Sequence, residues 1–187
     1  MDMMTEIALN ILDVAENSVR AGADYIEIDV AADTQKDTLE VSIRDNGCGM
    51  SEEQVRKAKD PFFTTRTTRR VGLGLPFFEQ AAKGTGGSLK IISREGEGTT
   101  VKAVFGLSHI DRMPLGDINS TIYTLAVFNE GIDFHYRYAY DDREFVLDTK
   151  EMKQILGGLP LHNAEVSEFI RDYLDANQAE VNGRRTL

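Results

Sequence analysis

Apolar residues near the amino end fall at helical spacing. Ile7, Ile11, Leu12, Val14, Ala15 and Val19 mark one side of a helix read from Thr5 to Gly22, where the glycine stops it. The pattern then changes to period two. Tyr25 to Val30 and Leu39 to Arg44 alternate as strands across a polar connection. Ser51 caps a short helix containing Val55, with Glu52 and Glu53 in its first turn. Asp60 to Gly72, rich in Thr and Arg, reads as a loop, and Leu73 to Ala82 as a helix that tolerates Pro76 in its first turn. After the break at Gly84–Gly87, Leu89–Ser93 and Thr99–Phe105 form an antiparallel pair around Gly96-Glu97-Gly98.

A boundary is expected between Gly106 and Gly116. Beyond it the pattern predicts a helix over Asn119–Phe128, a hairpin with arms Asp133–Tyr140 and Glu144–Leu147 turning at Asp141-Asp142, and helices over Lys150–Leu156 and Ala164–Ala176. The division is therefore a first domain over 1–107, a linker over 108–116, a small αββαα domain or extension over 117–177, and a frayed tail over 178–187.

Composition narrows the function. The chain has 187 residues, a soluble globular make-up and a net charge of −10, so nucleic acid and anionic membrane are poor partners. Any nucleotide has to be held by local groups and a divalent cation. The single cysteine, Cys48, excludes an intrachain disulfide and a multi-cysteine zinc site. No apolar run has membrane-spanning length and no signal peptide is visible, so the expected location is cytoplasmic.

Three segments carry candidate chemistry. Asp13 and Asn17 are four apart and share a helix face, where a carboxylate and a carboxamide can hold Mg²⁺ and a water against a triphosphate. Taken alone, such a pair is also an ordinary polar face. Asp45-Asn46-Gly47-Cys48-Gly49 is a turn after a strand, or a purine site in which Asp45 accepts from an adenine amino group while Gly47 and Gly49 let the backbone lie against base and sugar. Gly72-x-Gly74 opens a helix after Arg66, Arg69 and Arg70, which makes a ready anion site beside positive charge; a solvated loop fits the same residues. There is no G-x-x-x-x-G-K-[ST] loop, H-E-x-x-H or G-x-S-x-G motif.

Read in order over residues 6–106, these segments resemble the GHKL superfamily of gyrase B, Hsp90, MutL and histidine-kinase catalytic domains. Asp13 to Ala23 looks like the N-box, Asp45 to Gly49 the G1 box, Asp60 to Arg66 the F-box, and Gly72-Leu73-Gly74-Leu75 the G2 box; Gly98-Thr99 is similar to the last adenine-side motif. The resemblance implies an α+β two-layer sandwich of the Bergerat type, a mixed and mainly antiparallel sheet with helices on one face, and ATP and Mg²⁺ as cofactors. It further implies that Asn17 binds Mg²⁺, Asp45 binds adenine, and Gly47, Gly49, Gly72 and Gly74 line the nucleotide. Thr99 would fix the adenine through water, and Arg66, with Arg69 and Arg70, would approach phosphates on lid closure. Hydrolytic members carry Glu where this chain has Asp13. That residue is the candidate base for slow hydrolysis, and the shorter side chain points toward the kinase branch.

That reading implies a protein kinase of histidine-kinase type acting on an unidentified partner, because no phosphoacceptor hairpin fits ahead of the first helix. A nucleotide-gated module and a slow ATPase are the alternatives. Ser108 to Leu115 is similar to a histidine-kinase H-box that lacks the acidic residue after His109, and a homodimer would allow His109 to accept phosphate in trans. His135 and His162 read as surface or packing residues.

Overall fold

The computed structural model describes residues 5–60, 74–183 and 185–187. The elements are α1 (Ile7–Arg20), β1 (Tyr25–Asp33), β2 (Thr38–Asp45), α2 (Glu52–Ala58), α3 (Gly74–Gly84), β3 (Ser88–Arg94), β4 (Gly98–Gly106), α4 (Ile118–Phe128), β5 (Asp133–Tyr140), β6 (Arg143–Asp148), α5 (Thr149–Leu156) and α6 (Ala164–Asn182). The six strands make one sheet in the order β3-β4-β2-β1-β5-β6. Every neighbouring pair is antiparallel except β1 and β5.

Period-two burial decides which face the helices cover. Ile26, Ile28, Val30 and Ala32 of β1, Leu39, Val41 and Ile43 of β2, and Val101, Ala103 and Phe105 of β4 are buried on one face. The opposite row is charged and pairs across strands. Lys102 sits 2.6 Å from Glu40, Arg44 3.4 Å from Glu27, and Arg137 3.0 Å from Asp29. Such half-exposed pairs contribute little to stability, but they suit a face turned to water. The expected α+β sandwich is the observed one.

The C-terminal third departs from the expected division. Residues after 116 do not build a sheet of their own: β5 lies parallel along β1, with Ile26 opposite Phe134 and Ile28 opposite Tyr136. The reason is β1's second edge. β2 satisfies only one side of that strand, and the buried row Phe134, Tyr136, Tyr138 of β5 continues the same apolar face. Tyr136, Tyr138 and Phe145 pack ring against ring, and Tyr173 of α6 closes on Phe145. Residues 107–117 also act as a cap rather than a spacer. The carbonyls of Pro114 and Leu115 accept from the N–H groups of Ile7 and Ala8 at 3.0 and 2.8 Å, satisfying orphan donors at the start of α1.

The frayed tail is likewise corrected. α6 continues to Asn182 because Val181 is buried and Asn182 Oδ1 accepts from the Tyr138 hydroxyl at 2.7 Å; Gly183 then ends it at φ 54°. Leu187 O accepts from Leu115 N at 3.2 Å.

Candidate functional site

Asp45 follows directly from the alternation of β2. Leu39, Val41 and Ile43 point into the core, and the next residue in that row is Asp45, which is 8% exposed. Register places Thr99 opposite Asp45 on β4, in the row of Val101, Ala103 and Phe105. On α1 the buried stripe Ile7, Ile11, Val14 ends at Ser18. The three elements converge on the carboxylate. Ser18 Oγ donates to Asp45 Oδ2 at 2.6 Å, and the N–H groups of Gly47 and Thr99 donate to Oδ1 at 2.9 and 3.3 Å. A carboxylate offers about four acceptor positions, so these donors fix its orientation and leave capacity for one more.

Above Asp45 lies a cavity of about 420 Å³, a size suited to a small organic ligand. Asp13, Asn17, Ser18 and Ala21 of α1 form one wall, and Gln54, Lys57 and Ala58 of α2 another. Cys48, Gly49 and Met50 of the turn, Gly74 and Leu75 at the start of α3, and Thr99 and Val101 of β4 complete it.

Of the expected site residues, Asp13, Asn17, Asp45, Gly49, Gly74 and Thr99 line this cavity, with differences in role. Gly49 is on the wall, but its lack of a side chain is demanded from behind. Its φ is +67° and a Cβ would stand 1.8 Å from the Arg94 carbonyl oxygen. Gly47 is set back from the wall, where a Cβ would come within 2.9 Å of Ala21 Cβ and O. Gly74 opens α3 against Asp13, and a Cβ there would fall 1.7 Å from Asp13 Oδ2. The Asp13 carboxyl thus rests at a helix N-terminus. Burial pushes its pKa up; Arg20 opposes the shift and Glu16 adds to it. Asn17 Oδ1 accepts from Arg20 Nη2, and Arg20 Nη1 lies 3.7 Å from Glu16 Oε2. Arg66 and Gly72, with Arg69 and Arg70, lie outside the described residues.

Three contributors escape a motif search. Ser93 faces Thr99 across the β3–β4 ladder; their hydroxyls are 2.8 Å apart, and Ser93 Oγ also accepts from Met50 N at 2.8 Å. Folding the chain about Gly96-Glu97-Gly98 would have aligned that pair. Gln54 and Lys57 are three apart on α2 and so share a face. Gln54 also closes a capping box with Ser51, and Lys57 Nζ is 2.5 Å from Glu53 Oε1.

The histidines stay outside the cavity. His109 follows β4 at the end remote from Thr99, about 23 Å along the strand at the usual rise. It sits in a turn and not on a helix, its Nδ1 accepting from the N–H of Asp111 at 3.2 Å. His135 Nδ1 is 3.0 Å from Asp148 Oδ2, and His162 Nδ1 is 2.9 Å from Glu130 Oε1.

The donor set suits magnesium in one particular way. The groups that α1 offers a metal are oxygens, from Asp13 and Asn17, while Ser18 is engaged with Asp45. Among the described residues there is no cluster of three or more His, Cys, Asp or Glu able to cage an ion. Magnesium accepts such an arrangement, taking one or two protein oxygens and completing its octahedron with phosphate and water. Also among the described residues, no helix is long and apolar enough to cross a membrane.

Known proteins are similar to this chain in sequence and in fold. An NtrY-like protein of Rickettsia prowazekii (strain Madrid E) is 31% identical over 107 residues, 57% of this chain and 18% of that one. The sensor histidine kinase ZraS of Escherichia coli (strain K12) is 29% identical over 99 residues, covering 53% and 20%. The signal transduction histidine-protein kinase AtoS of the same strain is 31% identical over 108 residues, covering 57% and 17%. The chain thus spans a fifth or less of these curated relatives. In fold it is similar to the N-terminal domain of a DNA repair protein, with a TM-score of 0.53 at 16% identity over 78% of this chain and 53% of that one. The family model for histidine kinase-, DNA gyrase B- and HSP90-like ATPases matches residues 3–109, more than half of the chain, and the chain belongs to that family of ATP-binding domains.

Proposed function

We infer that the protein is a Mg-ATP-dependent kinase of histidine-kinase type, passing the γ-phosphoryl group to a side chain on a partner protein. The observation that carries this reading is the convergence on one cavity. A three-donor-held carboxylate, Asp45, lies at its floor, the Asp13–Asn17 face of α1 is at its side, and the N-terminus of α3 opens beside Asp13. Asp45 accepts from the adenine amino group, and Thr99 supports the same edge. Gly74 and the following N–H groups receive phosphate oxygens. Asn17 is the protein ligand of Mg²⁺, which when bound draws charge from the phosphate oxygens. The remaining work is positioning, the main demand of phosphoryl transfer. No histidine lines the cavity among the described residues, and His109 is a strand's length away, so the acceptor belongs to another chain.

Slow hydrolysis is the second reading, and the state of Asp13 favours it. A carboxyl whose pKa is raised by burial is a better base for a water than an ordinary one.

Calorimetry with ATP tests the site. Asp45→Asn should weaken binding by about 1–3 kcal/mol, because an amide presents a donor where acceptors are required. Unchanged affinity would overturn the adenine assignment. γ-Labelled ATP then separates the chemistries. Label on a partner supports transfer, free phosphate lost in Asp13→Ala supports hydrolysis, and tight binding with neither leaves a nucleotide-gated module.

A further inference from the structure

The oxygen assigned to magnesium already has a cation on it. Arg20 closes the last turn of α1, three residues after Asn17 and on the same side of the helix. Its guanidinium donates to Asn17 Oδ1 and stays within 3.7 Å of Glu16 Oε2. The C-terminal end of the helix dipole favours a positive charge there. Its side chain is 37% exposed, so it has solvent to move into.

A carboxamide oxygen has two lone pairs, but two cations on one oxygen repel at that range. Guanidinium and metal are therefore alternatives. We propose that Arg20 is a gate on the metal ligand. It holds Asn17 Oδ1 and must swing away, toward Glu16 and solvent, for a divalent cation to bind. This deepens the Mg-ATP reading and rests on it. The gate weakens capture of magnesium, so the metal enters mainly with the triphosphate that adds its own oxygens. Arg20 acts on the metal through Asn17 and is a positioning residue.

The test is ATP affinity across a magnesium titration begun in EDTA, on the full chain. Arg20→Ala and Arg20→Gln should lower the magnesium concentration at the midpoint of the affinity gain by about 3- to 10-fold, the net worth of one ordinary hydrogen bond. Metal-free affinity should stay within about twofold, since the charge removed is screened. Lys102→Ala removes one positive charge from the open sheet face, remote from Asn17, and should leave the midpoint in place. A midpoint unmoved in both Arg20 variants overturns the gate. So does a metal-free affinity about tenfold weaker, which would make the guanidinium a phosphate ligand. Wild-type protein that binds no ATP at any magnesium level defeats the nucleotide reading itself, and the gate with it.

Discussion

Asp13 shows at the residue scale how a site taxes its own fold. Its ordinary pKa is 3.8 and burial in the cavity raises it. The folded chain therefore keeps that proton to higher pH than the unfolded chain does. Between the two values stability falls as pH rises, and above the raised value the full penalty applies. Asp13→Asn removes the charge at nearly constant shape. It should raise the melting temperature at neutral pH by about 2–4 °C for each kcal/mol released, with the gain shrinking as pH falls toward 4. Melting curves across that range check it; a gain that persists undiminished at low pH would contradict the burial argument. Asp45 is the counterpart whose place was legible in the sequence. Counting by twos from Leu39 reaches it, and the same count from Phe105 reaches Thr99. Arg20 on Asn17 was not legible, because i,i+3 neighbours on a helix choose partners only once the cavity wall is built.

Turns set the site at the scale of elements. The turn after β2 and the turn between β3 and β4 lock together through backbone atoms. Gly96 N donates to Cys48 O at 2.7 Å, Gly49 faces the Arg94 carbonyl, and Gly98, at φ +100°, leaves no room for a Cβ, which would stand 2.0 Å from Asp45 O. The sequence left Gly49 open between a tight turn and room for a ligand, and the packing against the neighbouring turn is what forbids a side chain there. Gly98→Ala should thus act on the fold, costing about 2–3 kcal/mol in urea unfolding, and weaken ATP through displaced Asp45. A stable variant with intact binding would show that the two turns can separate. Helix spans were legible to within a few residues except where tertiary contacts extend them, as Val181 and Asn182 extend α6 past the expected Ala176.

For the whole molecule, the family's ATP-binding portion and the remaining residues share a single sheet and core. β5 covers the second edge of β1, α4 packs on α1, and the 114–115 carbonyls close the N-terminus of α1. Truncation after residue 107 should therefore expose the edge of β1 and uncap the helix that carries Asp13 and Asn17. The expected product aggregates or gives collapsed amide spectra; a dispersed spectrum with ATP binding retained would show the first 107 residues to be self-sufficient. Nothing in the local pattern announced this union. Parallel pairing of β1 with β5 joins residues more than a hundred positions apart, and hydrophobic periodicity carries no record of which edge a strand will choose.

The side-chain parity of β2 has an outcome for how such a chain can diverge. Its solvent-facing row, Thr38, Glu40, Ser42 and Arg44, can be rewritten with other polar residues at small cost. A single residue gained or lost between Leu39 and Asp45 is another matter. It would turn the carboxylate out to water and an outward-facing neighbour into the core, so descendants that keep the carboxylate at the cavity floor should differ here by exchange and never by length.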